Sequence, residues 1–138
     1  MLYKATLQSE LRSVTADGLR DKIAHTAQAI VSIRDDGDWN VRYFDPENHG
    51  ETVLGGTPSR IFLRRSGQVD SRMTFEVSKM TDAFYRTPAG IIDISVRTHR
   101  FSCEYDAEGG RLTLDYDLHI AGEFVGKNSL MLRWKRNG

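Results

Sequence analysis

Seven arginines crowd the middle of the chain: Arg60, Arg64, Arg65, Arg72, Arg86, Arg97 and Arg100. Their acidic neighbours there, Asp70, Glu76, Asp82 and Asp93, are fewer. The acids concentrate earlier, at Asp35, Asp36, Asp38, Asp45, Glu47 and Glu51. A guanidinium offers paired donors in one plane, the geometry that grips a carboxylate or a phosphate. If the fold brings Arg65, Arg97 and Tyr85 together, they form an anion site, with Phe75, Tyr85 and Tyr116 as its walls. The plainer alternative puts the arginines outside, paired with acids around the surface, where each pair is worth about 0–1 kcal/mol. Tyr85, Tyr105 and Tyr116 also read first as core or cross-strand aromatics and second as pocket walls.

Other chemistry-bearing residues are isolated. His25, His49, His99 and His119 lack the spacing of a metal site such as HxxxH, so no metal is expected. Asp35, Asp36 and Asp38 around Gly37 resemble part of a calcium loop, but the closing glutamate is missing and a hairpin turn is the better reading. Cys103 shares parity with Phe101 and Tyr105 and reads as a small buried apolar group rather than a nucleophile. The chain has no GxSxG, P-loop or GxGxxG signature. Glu10, Glu76, Asp93 and Glu104 are scattered carboxylates. A hydrolase therefore rests only on acids and histidines meeting by chance, and neither catalytic residues nor a cofactor are expected.

Composition narrows the class. The 138 residues suit one domain, 1–138, with 39% hydrophobic and 28% charged residues, as in globular proteins. The formal net charge of zero argues against a dedicated nucleic-acid binder, and no DNA partner is expected. No apolar run approaches the roughly 20 residues that cross a bilayer as a helix, and the start lacks a signal-peptide core. With a single cysteine there is no internal disulfide framework, and a cytoplasmic location is expected.

The elements that must position these side chains are strands. From Ala83 to Ile120 two long strand-like runs face each other across Asp106-Ala107-Glu108-Gly109-Gly110. In the second, Leu112, Leu114, Tyr116, Leu118 and Ile120 alternate with polar residues, a period of two. In the first, Ile92, Ile94 and Val96 keep one parity while Phe101, Cys103 and Tyr105 keep the other. A straight strand of that length would span about 50 Å, too long for this domain. The parity switch between Arg97 and Arg100 predicts a bulge or bend that lets one strand serve two sides of a closed sheet, with Ile94 and Leu114 inward.

The rest of the chain reads the same way. Lys4–Ser13 is a strand with a thin apolar face, followed by a turn at Thr15-Ala16-Asp17-Gly18. Leu19–Arg34 fits either period, but its β-branched end, Ile30-Val31-Ser32-Ile33, favours strand over a helix at residues 19–29. A hairpin signal at Asp35–Asp38 precedes a short strand at Trp39–Phe44. Asp45–Gly50 reads as a polar loop and Gly55-Gly56-Thr57-Pro58 as a further break. Strands follow at Arg60–Arg65 and Ser71–Val77, the latter with Met73, Phe75 and Val77 on one face. Thr87–Gly90 is a loop, Gly122 opens a last turn, and Glu123–Arg136 closes the chain with Leu130, Leu132 and Trp134 on one face. Eight to ten strands joined by hairpin signals predict an all-β, antiparallel up-and-down sandwich or barrel, and closure would remove exposed edges.

Arg65-Ser66-Gly67, Phe75, Tyr85-x-Thr87-x-x-Gly90, Thr98 and Gly110-x-Leu112-x-Leu114-x-Tyr116-x-Leu118 occur in this order. In them the chain resembles the YwiB-like family of small bacterial proteins of unknown function. The likeness covers almost the whole chain and is strongest from Ile61 to Ile120. It departs from the family pattern at Thr57-Pro58 and in the Asp45–Gly56 stretch. It implies a closed calycin-like barrel, the shape of lipocalins, a strand rather than a helix at Leu19–Arg34, and a bacterial source. It lends no catalytic or binding residues.

Two functions follow as expectations. In the first, the barrel mouth binds a small amphipathic or anionic ligand between Phe75, Tyr85 and Tyr116, anchored by Arg65 or Arg97. In the second, the barrel is filled with side chains and the arginine-rich outer strands meet an RNA or protein partner.

Overall fold

Period-two alternation with β-branched and aromatic residues has one outcome along this chain, and the protein is built entirely of strands and turns. The structure is a computed structural model that describes residues 1–138. Its strands are β1 Leu2–Thr15, β2 Arg20–Ile33, β3 Trp39–Asp45, β4 Gly50–Thr57, β5 Arg60–Arg65, β6 Asp70–Phe75, β7 Met80–Thr87, β8 Gly90–Ile91, β9 Ile94–Tyr105, β10 Gly109–Ile120 and β11 Glu123–Arg136. Each of the ten longer strands pairs antiparallel with its chain neighbour, β8 is a short arm on β7, and β1 pairs with β11. The result is a closed ten-strand up-and-down barrel, with β6 joined to β7 to complete the ring.

Leu19–Arg34 resolves as strand. In β2, Ala29 and Val31 are buried and Ala27 and Ile33 pack against the core, all on one parity. The predicted bulge is present. Asp115 pairs with Arg100 and Tyr116 with Thr98, which leaves His99 as the extra residue. Before it Ile94, Val96 and Thr98 are buried; after it Phe101, Cys103 and Tyr105 turn to the core. Leu114 and Ile94 face inward at 1% and 4% exposure.

Two local readings are corrected. Gly50–Thr57 is a strand, not part of a loop ending in a glycine break, and Thr52, Leu54, Gly55 and Gly56 are all buried in it. Gly55 is there because the Phe62 ring and the Trp39 carbonyl occupy the space a Cβ would need. The strand Ser71–Val77 ends at Phe75; Val77 is exposed, and the chain then turns at Ser78 with positive φ.

The two ends of the barrel differ. At one end the indoles of Trp39 and Trp134 stack at 6.0 Å, and Trp134 Nε1 donates to the Tyr3 hydroxyl at 3.1 Å. Tyr3 in turn donates to the Asp106 carbonyl, and Tyr105 donates to the Gly37 carbonyl. Gly110 lies under the Trp134 ring, with no room for a side chain. This aromatic plug closes that end. At the other end the strands are unequal. The β1, β2 and β11 strands run 14 residues each while β3 to β7 run six to eight, so one wall stands taller than the other.

Candidate functional site

Register brings a row of polar side chains onto the inner face of the short wall. Tyr43 on β3 pairs with Thr52 on β4, Thr52 with Arg65 on β5, Arg65 with Ser71 on β6, and Ser71 with Tyr85 on β7. Cross-strand partners share a face, so the inward parity of Ile61 and Leu63 carries Arg65 inward too. Thr52 and Ser71 are buried, and their hydroxyls have no hydrogen-bond partner. The Arg65 Nε is likewise buried and unpartnered. Leaving a charged donor in this state is costly.

Above this row lies a cavity of about 210 Å³, at the end away from the tryptophan plug. Arg65, Tyr43 and Tyr116 reach it from the barrel interior, and Leu11, Ile23 and Leu130 line it from the tall wall. Ser9, His25 and Asp45 also face it. Asp45 is 5% exposed, and its Oδ1 accepts from the Glu47 backbone N–H at 3.0 Å, which shapes the β3–β4 turn. Neither Asp45 nor Arg65 has an ion-pair partner within 4.0 Å. Tyr43 feels both charges. Burial pushes its hydroxyl pKa above the ordinary value, with Arg65 opposing that shift and Asp45 adding to it. Burial raises Tyr116 as well, partly offset by a hydrogen bond from Asn128 Nδ2 at 3.2 Å and by Arg65.

The five residues expected at the site divide. Arg65 and Tyr116 line the cavity. Phe75 is fully buried beneath, its ring 5.0 Å from that of Tyr116, and serves as floor. Tyr85 is half-buried on the same inner row. Arg97 is not brought to them. It falls between buried Val96 and Thr98, so it points outward and is exposed. Arg60, Arg86 and Arg100 lie outside in ion pairs with Glu76, Asp70 and Asp115.

Sequence reasoning missed Tyr43, Asp45, Thr52 and Ser71. The parity of Trp39 and Val41 extends to Tyr43 and Asp45, and that signal was available. The histidines are dispersed: His49 in a turn, His99 against Asp117 Oδ1 at 2.9 Å, His119 against Phe124, and His25 at the mouth beside Tyr43. No group of three or more His, Cys, Asp or Glu side chains could hold a metal ion. Ser9 and His25 are cross-strand neighbours, but both nitrogens of His25 lack a partner, so no nucleophile–base hydrogen bond joins them. Cys103 is half-buried, and burial, reinforced by Glu104, pushes its thiol up to about 12. No helix is long and apolar enough to cross a membrane.

Fold and site together define a class: a closed meander barrel with one end plugged by aromatics and the other opening on a polar interior row. The chain belongs to the family described as a domain of unknown function, DUF1934, whose model matches residues 9–132. It is similar to the uncharacterized β-barrel protein YwiB of Bacillus subtilis (strain 168), at 24% identity over 105 residues, covering 70% of this chain and 74% of that protein. The crystal structure of ywiB protein from Bacillus subtilis matches with a TM-score of 0.88 at 17% identity, over 99% of this chain and 94% of that one. At this identity the structural likeness concerns the fold.

Proposed function

We propose that this protein binds a small anionic or amphipathic ligand in the open mouth of the barrel, with Arg65 as its anchor. One observation carries the reading: a guanidinium faces the interior with a buried, unpartnered Nε and no carboxylate within 4.0 Å. An unpaired interior charge weakens a fold, and an anion from outside the chain would compensate it. Tyr116 and Tyr43 supply hydroxyls beside it, and Leu11, Ile23 and Leu130 an apolar wall. The calycin shape implied by the family resemblance fits this use. The aromatic plug limits depth, so a long-chain lipid is disfavoured. A cytoplasmic setting fits the one unpaired thiol, Cys103. Thermal unfolding with millimolar small carboxylates and phosphates should show stabilisation of the wild type and none of Arg65→Met. A wild type that no anion stabilises removes the reading.

A second reading has one observation in its favour. On the outer face Arg64 pairs directly with Arg72 across β5 and β6, and Arg72 lies 5.4 Å from the Phe84 ring. Like charges placed opposite each other are unfavourable alone and suit a phosphate-bearing partner such as RNA. Salt-sensitive binding of single-stranded RNA, lost in Arg64→Glu, supports it; binding unchanged by that substitution rejects it.

A further inference from the structure

The mouth holds a second charge besides Arg65. Asp45 lines the same cavity, is 5% exposed, and has no cation within 4.0 Å. The two opposite charges do not pair with each other because β4 stands between their strands. Asp45 on β3 pairs with Gly50 and Arg65 on β5 pairs with Thr52, so the two lie two strand spacings across and two residues along, about 12 Å between backbones. Tyr43, on the same strand as Asp45 and level with Arg65 through Thr52, lines the cavity with them. Each charge lacks its complement, and both line one cavity, where one small molecule with a cationic and an anionic end can meet the two of them.

We infer, on the reading that the mouth binds a small ligand, that this ligand is a zwitterion of the α-amino-acid type, its carboxylate on Arg65 and its ammonium on Asp45. A phosphate dianion suits the mouth less well, because Asp45 and the rim residue Glu47 both face it. The side chain of the amino acid meets Leu11, Ile23 and Leu130 on the tall wall. The cavity of about 210 Å³ is of the size that takes a single small or medium amino acid. Capture is by binding alone, and no bond forms or breaks.

The test separates the two poles. Isothermal titration compares alanine, leucine and phenylalanine with their deaminated counterparts propionate, 4-methylpentanoate and 3-phenylpropionate, and with 3-methylbutylamine. At least one amino acid should bind about ten- to a hundred-fold more tightly than its deaminated counterpart, the range expected for one charged hydrogen bond. Asp45→Asn should erase that advantage. Asparagine keeps the oxygen that accepts from the Glu47 N–H, so the turn is preserved while the charge is lost. Circular dichroism and a thermal melt confirm that the variant folds; if it does not, Asp45→Ser provides the same arm. If the deaminated acids bind as tightly as the amino acids, or the preference survives loss of the Asp45 charge, the zwitterion is overturned and the anion-binding reading stands. If no probe binds, the zwitterion is overturned, and the carboxylate and phosphate melts decide the broader anion-binding reading.

Discussion

Replacing Arg65 with methionine should stabilise the ligand-free protein. The substitution keeps the length of the side chain, removes a charge whose Nε is buried without a partner, and presents apolar atoms to Leu54 and Leu63. An unsatisfied buried donor costs about 1–3 kcal/mol. Arg65 is only partly buried, so the lower half of that range applies. Against this stands its attraction to Asp45. Over about 12 Å, at an effective dielectric near 40 for a cavity open to water, this is worth roughly 0.7 kcal/mol. The balance is a gain of about 0.5–1 kcal/mol, or about 2–5 °C in Tm for a domain of this size. Urea unfolding monitored by tryptophan fluorescence measures it directly, with the m-value checking that the transition remains two-state. The double variant with Asp45→Asn then gives the coupling between the charges, expected at or below about 1 kcal/mol. A loss of 1 kcal/mol or more in Arg65→Met would mean that the guanidinium holds the short wall together, and the reasoning from an uncompensated charge fails.

Other outcomes are equally specific. Gly110→Ala drives a Cβ into the Trp134 ring at the plugged end. It should cost about 1–3 kcal/mol and shift the tryptophan emission, and an unchanged melt would show the plug to be loose. Arg97→Glu, on the outer face, should leave ligand-induced stabilisation as in the wild type; a loss equal to that of Arg65→Met would place it at the mouth after all. The Cys103 thiol is pushed from 9.0 to about 12 in the fold, by burial first and then by Glu104. Between about pH 9 and 12 the unfolded chain releases this proton and the native one retains it, so stability falls as pH rises through that window. Cys103→Ala should flatten that fall, and the native thiol should react slowly with a disulfide reagent at pH 8.

Much of this architecture was legible because strands announce themselves with a period of two. The parity of Ile94 and Val96 against Phe101 and Cys103 located the irregularity to within a residue or two of His99, and the register shows that it is a bulge rather than a bend alone. Arg65 could be placed inward by counting from Ile61 and Leu63. The same count from Val96 sends Arg97 outward, and including it in the site overlooked that rule. The missing part of the site has a different cause. Gly55 and Gly56 carry a turn signal, but their lack of side chains serves close approach to Phe62 and Arg60 within a strand. With β4 read as loop, Thr52 had no face, and the link from Tyr43 to Arg65 passes through it. Which side chains gather in the mouth depends on a register across five strands, and no local pattern encodes that.

The central claim is that Arg65 is an interior group awaiting an anion. Side-chain ¹⁵N–¹H spectra of the arginine Nε–H groups address it most directly, with Arg97 as the internal surface control. The account predicts an Arg65 Nε–H resonance protected from solvent exchange that shifts when leucine or 4-methylpentanoate is added, while the Arg97 resonance exchanges fast and stays in place. An Arg65 signal that exchanges as fast as that of Arg97 and ignores both probes contradicts it.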